Sequence, residues 1–382
     1  MKSQLPAKRT SQLAISSDVV QSKYQDQKNN LSRMNVALPD LSNAIDPDDP
    51  LSAKYVQGFK NFELNRGGLA STSVYMLASV LRTWNNYCES ENVYAFPATL
   101  TCAYHWLEHE WYANGKSVET IRQYKAQMTY ILDYLGVPNP FKAKQVVAFI
   151  KSLKRDRAEV SGASYRQRQA FGMRAADLMA IMECLDGTNF INMRDFTLAC
   201  AAYTTMLRES ELGRIRLQDV EVVNSEMVII HRTYSKTSTN VKAKVMVGTF
   251  AKVMRLYLTE IEGKLKQDDM IFSRVTRNGK MIASKTPMSG QTIDRCLGKL
   301  FDFAASQGIE FASPNPKRWT GHSGRVGGCQ DGYINKLSEA ELMQLGDWTS
   351  MEMVHRYIRE LSYENTANVV NQKKVLNKIA AY

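Results

Sequence analysis

Gly321-His322-Ser323-Gly324-Arg325-Val326-Gly327-Gly328 is the stretch around which the rest of the chain can be read. It is glycine-rich, yet it follows neither the GxxxxGK[ST] order of a phosphate-binding loop nor the GxGxxG of a dinucleotide-binding turn. Neither pattern occurs elsewhere in the sequence, so an ATP- or NAD-dependent activity has no support. The stretch offers instead a histidine and an arginine three residues apart, His322 and Arg325, which a helix places on one face. Three further islands surround it. In Met206-Leu207-Arg208-Glu209-Ser210-Glu211-Leu212 an arginine ends an apolar helical segment, where a guanidinium is costly unless an anion or carboxylate answers it. Lys236 lies in Tyr234-Ser235-Lys236-Thr237-Ser238-Thr239-Asn240, a turn between two β-rich runs. Gly346-Asp347-Trp348-Thr349-Ser350 is followed by His355-Arg356-Tyr357-Ile358-Arg359. Taken singly, each island has a structural explanation: a salt-bridged arginine, a solvated loop lysine, a capping histidine, a core tyrosine.

The wider sequence sets bounds on what these islands can do. The chain has 382 residues, with 49 Lys+Arg against 38 Asp+Glu and a formal charge of +11, a balance that favours a polyanionic partner such as nucleic acid. Its 44% hydrophobic and 23% charged residues are ordinary globular usage. No apolar run approaches the roughly 20 residues of a membrane span, and residues 1–10 lack the apolar segment of a signal peptide, so a cytoplasmic protein is expected. Cys88, Cys102, Cys184, Cys200, Cys296 and Cys329 are scattered and form no CxxC pair, which reads as reduced thiols. His105-Trp106-Leu107-Glu108-His109 matches the HxxEH zinc-peptidase pattern, but Trp106, Trp111 and Tyr112 look like packing residues and no third ligand is nearby. These histidines are read as helix-surface or capping groups, and no metal is expected.

Residues 1–50, rich in Ser, Gln, Asn and Asp, read as a flexible tail. From 51 to 155 the period is helical. Val74, Leu77, Leu81, Trp84 and Cys88 share one face. Ser117 caps a second helix that carries Val118, Ile121, Tyr124, Met128, Ile131 and Leu135 and stops at Gly136. Residues 156–172 form a basic linker that includes Arg166 and Arg168. From 173 to 382 the chain is helical with one β-rich island. There Met227-Val228-Ile229-Ile230-His231 is followed by a run in which Val241, Ala243, Val245 and Val247 alternate with Lys242, Lys244 and Met246. Residues 365–382 carry Val369, Val370, Val375, Leu376 and Ile379 on what reads as an amphipathic helix.

In their order, Arg, then Lys on a hairpin, then His-x-x-Arg, then Trp, then Tyr nine residues later, the islands resemble the tyrosine site-specific recombinases. The likeness spans about 170 to 370 and runs more weakly through the helical first half; it does not cover the tail. It implies a mainly α fold with a small antiparallel β-sheet. A core-binding, SAM-like helical bundle and a C-terminal catalytic domain would together form a C-shaped DNA clamp. It also implies strand exchange through a 3′-phosphotyrosine and a Holliday junction, without metal, ATP or any small-molecule cofactor. Carried over residue by residue, the resemblance makes Tyr357 the nucleophile, with Arg208 and Arg325 on the non-bridging phosphate oxygens. Lys236 becomes the acid for the leaving oxygen, His322 and Trp348 become phosphate ligands, and Glu211 orients the cluster. Lys242 and Lys244 rival Lys236; Tyr333 and Tyr363 rival Tyr357 less well. The same site could serve a topoisomerase or a telomere resolvase, and a non-catalytic DNA-binding protein with a relic site is the reading from another class.

The implied partners are double-stranded DNA with an inverted-repeat target and three further copies of the chain. Together these make a homotetramer on two DNA sites, in which 365–382 docks on a neighbour. Lys116, Thr120, Gln123 and Gln127 fall on one polar helix face, as do Gln291, Asp294, Arg295 and Lys299 on a helix starting near Ser289. Amides and guanidiniums can read base edges, whereas lysines mainly meet phosphate.

Overall fold

The computed structural model describes residues 38–65, 68–161, 169–232, 243–313, 316–359 and 361, together with Gln372 and Leu376. The chain divides into two compact units, Met1–Arg166 and Gln167–Tyr382. Among the described residues no helix is long and apolar enough to cross a membrane.

The first unit is helical: α1 (Ser52–Asn65), α2 (Ser71–Ser90), α3 (Leu100–Tyr112), α4 (Val118–Leu135) and α5 (Lys144–Ser161). The stripe predicted for α2 is buried along its whole length. At its centre Trp84 meets Trp106 of α3 edge-on at 5.2 Å, and Tyr124 of α4 stacks on the other side of Trp106 at 5.4 Å. α4 begins where Ser117 Oγ accepts the Thr120 N–H at 3.2 Å and ends at Gly136, whose φ of 64° is left-handed. His105 and His109 are exposed on α3, the latter ring 5.3 Å from Tyr87. The expected tail is too long at its inner end. Leu41, Ala44 and Ile45 are buried in this core, and the Asp46 and Phe96 amides donate to the carbonyls of Phe96 and Ala44 at 2.8 and 2.9 Å. Their polar neighbours dominated the composition of the window, but one turn of apolar residues is enough to dock.

The second unit is built on α7 (Phe190–Thr205), whose residues Arg194–Ala202 are all buried. Around it pack α6 (Ala175–Cys184), α9 (Gly248–Glu260), α10 (Gly290–Ser306) and α11 (Ser323–Ile334). The turn α8 (Glu209–Leu212) follows α7, and α12 (Glu339–Gly346) and α13 (Met351–Ile358) close the unit. Strands β1 (Val220–Asn224), β2 (Met227–Ile230) and β3 (Lys244–Val247) form an antiparallel sheet in chain order; β4 (Arg274–Val275) and β5 (Met281–Ile282) form a separate ribbon. The alternation anticipated around β3 is present, but Met246 is the buried residue while Val245 and Val247 are 46% and 55% exposed. Met246 pairs with Val228, which faces the core, and this register turns the valines outward.

The glycines of α11 are explained by close approach. A Cβ on Gly324 would lie 2.6 Å from the Ala202 backbone, and one on Gly327 would lie 1.8 Å from the Met173 carbonyl oxygen. The helix bearing Arg325 therefore rests directly on the backbone of α7 and of Met173. Overpacking a core costs about 1–3 kcal/mol when side chains can yield, and a backbone obstacle yields less. Gly327→Ala should therefore lower stability by about 3 kcal/mol or more in urea unfolding, while Gly187→Ala, with open space around it, should be nearly neutral. Equal midpoints for the two variants would contradict this packing.

Candidate active site

The site begins where α7 stops. Met206 adopts a left-handed φ of 51°, which turns the chain so that Arg208 caps the short helix α8. Arg208 Nη1 donates to Glu211 Oε1 at 3.2 Å, and the Arg208 amide donates to Glu211 Oε2 at 3.0 Å. The Glu211 side chain is 2% exposed, and its Oε1 also lies 3.5 Å from Arg232 Nη2. One buried carboxylate thus answers two guanidiniums, and stripping a partner from such a cluster typically costs about 3–5 kcal/mol. Arg208 keeps 23% of its side chain open, so it can reach a ligand.

Arg325, in the first turn of α11, is buried to 3% exposure. Its Nη1 donates to the Met206 carbonyl and its Nη2 to the Gly346 carbonyl at 2.9 Å. The guanidinium also lies 5.2 Å from the Trp348 ring centroid. Burial pulls its pKa below the ordinary arginine value and the nearby Arg208 charge adds to this, while the Tyr357 hydroxyl and Glu211 act in the opposite sense. Arginine starts so high that it stays charged. Trp348 is itself buried, and its indole N–H has no acceptor among the described residues. Leaving such a donor unpaired costs about 1–3 kcal/mol, a penalty that an oxygen ligand would remove.

Tyr357 lies on α13, with its ring 5.3 Å from that of Trp348. The Tyr357 carbonyl accepts from Gln169 at 3.0 Å and from Gln330 at 3.3 Å, which fastens the end of α13 to the unit. His322 is exposed at the start of α11, one turn before Arg325. Arg208 and Glu211 form one contacting pair and Arg325, Trp348 and Tyr357 a contacting group; the Arg208 and Glu211 charges act on Arg325, and His322 lies on the adjoining turn. Lys236 and its rival Lys242 lie outside the described residues, as do Arg166, Arg168 and Tyr363. The rival Lys244 has its Nζ 2.9 Å from Asp347 and donates to the Leu345 carbonyl at 2.9 Å. Burial lowers the pKa of Lys244, and the Asp347 contact partly offsets that. Tyr333 is half-buried and packs against the cluster of Val326, Trp348 and Tyr357.

Sequence reading missed Arg232 and Asp347. Arg232, 5% exposed, pairs with both Glu211 and Asp347. Its only sequence signal is a charge directly after an apolar strand. Of the expected DNA-reading residues, Gln123, Gln291, Arg295 and Lys299 are exposed, while Lys116, Thr120 and Gln127 are half-buried. Thr120 shares a 3.0 Å hydrogen bond with Ser117 Oγ. Asp294 corrects the expectation for its helix. Its Oδ1 accepts the Gly321 N–H at 2.7 Å, so it braces the turn before His322 instead of standing open on the polar face. Among the described residues no group of three or more His, Cys, Asp and Glu side chains could hold a metal ion.

The Phage integrase family model matches residues 172–363, which is the unit just described. The chain belongs to that family and is a tyrosine recombinase. A relative is Recombinase cre of Escherichia phage P1, 26% identical over 331 residues that cover 85% of this chain and 94% of that one. Two solved structures share the fold. XerH recombinase bound to palindromic difH substrate in a post-cleavage complex aligns with a TM-score of 0.55 at 11% identity, covering 91% of this chain and 96% of that one. A lambda integrase dimer bound to a COC′ core site aligns with a TM-score of 0.52 at 12% identity, covering 91% and 87%.

Proposed function

We propose that the chain exchanges strands between two specific DNA sites, with Tyr357 as nucleophile. The observation that carries this reading is the junction of Arg325, Trp348 and Tyr357, which presents a buried cation, an unpaired N–H and a hydroxyl side by side. Such a set suits a phosphodiester. Tyr357 Oη attacks phosphorus, its proton passing to His322, and the P–O5′ bond breaks to leave a 3′-phosphotyrosine. Arg208 and Arg325 stabilise the charge on the non-bridging oxygens, and the Trp348 N–H donates to one of them. Lys236 protonates the departing 5′ oxygen. The tyrosyl ester retains the energy of the broken bond, so a 5′ hydroxyl from the second duplex reverses the step on a new strand and forms a Holliday junction. Glu211, bonded to Arg208, keeps that arginine aimed.

The target is an inverted repeat in double-stranded DNA. Gln123, Gln291 and Arg295 are the exposed candidates for base contact, and Lys299 meets phosphate. Four protomers act together on two sites, each lending its C-terminal segment to a neighbour.

The test starts from nicked suicide duplexes drawn from a randomised inverted-repeat library and selected by covalent capture on the unmodified chain. Tyr357→Phe should bind the selected duplex with unchanged affinity and trap none of it; covalent product from Tyr357→Phe would overturn the assignment. A chain ending at Ser362 should still shift single sites in electrophoresis but form no paired complex of two duplexes. Undiminished pairing would remove the role given to the C-terminal segment.

A further inference from the structure

Residues 233–242, which include Lys236, follow Arg232 in the sequence and precede Ala243 and Lys244. Both roots are fastened to a single carboxylate. Arg232 Nη1 donates to Asp347 Oδ2, and Lys244 Nζ lies 2.9 Å from the same oxygen. The side chains of Arg232 and Lys244 are 5% and 11% exposed, and Asp347 is 25% exposed, so this is not a solvated surface pair. Arg232 also reaches Glu211 Oε1 at 3.5 Å, and Glu211 holds Arg208 at 3.2 Å. A continuous line of ion pairs therefore runs from the first phosphate-binding arginine to both ends of the lysine-bearing segment.

The backbone at Asp347 points to a use for its side chain. The residue follows α12 in a left-handed conformation, φ 50° and ψ 46°, where glycine is the default because a Cβ is penalised. The helix end itself needs only the Asp347 amide, which donates to the carbonyls of Gln344 and Met343. A strained conformation retained at a site is a reason to look for function. The next residue is Trp348, whose ring lies 5.2 Å from the Arg325 guanidinium and 5.3 Å from the Tyr357 ring.

We propose that Asp347 is a positioning residue that fixes both roots of segment 233–242 beside the Trp348–Arg325 platform, so that the acid on that segment meets the leaving oxygen. The inference rests on the reading of Lys236 as that acid. Glu211, Arg208 and Arg325 are the other charged groups facing this network, and among the described ion pairs it is the Asp347 carboxylate that joins both roots.

The experiment compares single-turnover cleavage of the captured suicide duplex with cleavage of the same duplex carrying sulfur at the 5′-bridging position. A thiolate leaves without protonation, so loss of the acid slows only the oxygen duplex. Because general acid catalysis contributes about 100- to 10,000-fold, mispositioning the acid in Asp347→Asn should slow cleavage of the oxygen duplex by about tenfold or more, with the sulfur duplex cut within about twofold of the parent rate. Asp347→Gly relieves the backbone strain while removing the same carboxylate and should show the same selective loss, so strain is not its cause; Asp347→Glu should recover part of the rate. Equal slowing on both duplexes, or an Asp347→Gly rate on oxygen within about twofold of the parent, overturns the inference. Lys236→Ala is the control. If sulfur fails to rescue it, the acid assignment itself falls, an outcome distinct from failure at Asp347.

Discussion

The catalytic unit depends on the burial of Arg325. A guanidinium taken out of water costs several kcal/mol unless its donors are met, and here the acceptors are main-chain carbonyls at two helix ends. The Met206 carbonyl terminates α7 and the Gly346 carbonyl terminates α12. Terminal carbonyls of a helix have no intrahelical donor and carry the negative end of its dipole. One cation thus satisfies orphan acceptors from two helices, and the Trp348 ring covers part of what remains. Both helices end in a left-handed non-glycine residue, Met206 at φ 51° and Asp347 at φ 50°, and each turn delivers a further site residue. Arg208 follows the first turn and Trp348 the second. The glycines of α11 belong to the same arrangement, because only without Cβ atoms can the helix lie low enough on Ala202 and Met173 for Arg325 to reach both carbonyls.

The resulting site holds charge that asks for an anion. Arg208 and Arg325 repel each other, which contributes to the lowered pKa of Arg325, and Glu211 offsets part of that repulsion. A phosphodiester would relieve the repulsion and pair the Trp348 N–H at once. The partners that hold these groups are fixed before any ligand arrives, so on the proposed mechanism little reorganisation would be needed as negative charge built up on the phosphate oxygens.

Much of this was legible in the sequence, for reasons that differ by element. α2 and α4 announced themselves through long apolar stripes, and α4 also through its Ser117 cap and Gly136 stop, because their burial is one-sided and regular. Arg208, Glu211, Arg325, Trp348 and Tyr357 were legible as a set only through order and spacing, since each residue alone has an ordinary structural role. β1 escaped notice because most of its residues are exposed, and β4 and β5 are two residues each, too short to show a period. Leu41, Ala44 and Ile45 were hidden by polar neighbours. The Arg232–Asp347–Lys244 cluster could not be read at all, because it joins residues more than a hundred positions apart. Asp294 misled for a related reason: its place on a polar helix face gave no sign that the turn before His322 would claim its carboxylate.

The central claim, that one buried arginine organises a phosphoryl-transfer site around Tyr357, is tested most directly by a structure on nicked target DNA with orthovanadate bridging the nick. Vanadate there becomes five-coordinate and mimics the phosphorane. The account predicts Tyr357 Oη as the apical ligand opposite the 5′ oxygen, with Arg208, Arg325 and the Trp348 indole N–H bonded to equatorial oxygens. A vanadate held by other groups, with Tyr357 turned away and Arg325 still engaged only by its two carbonyls, would contradict it.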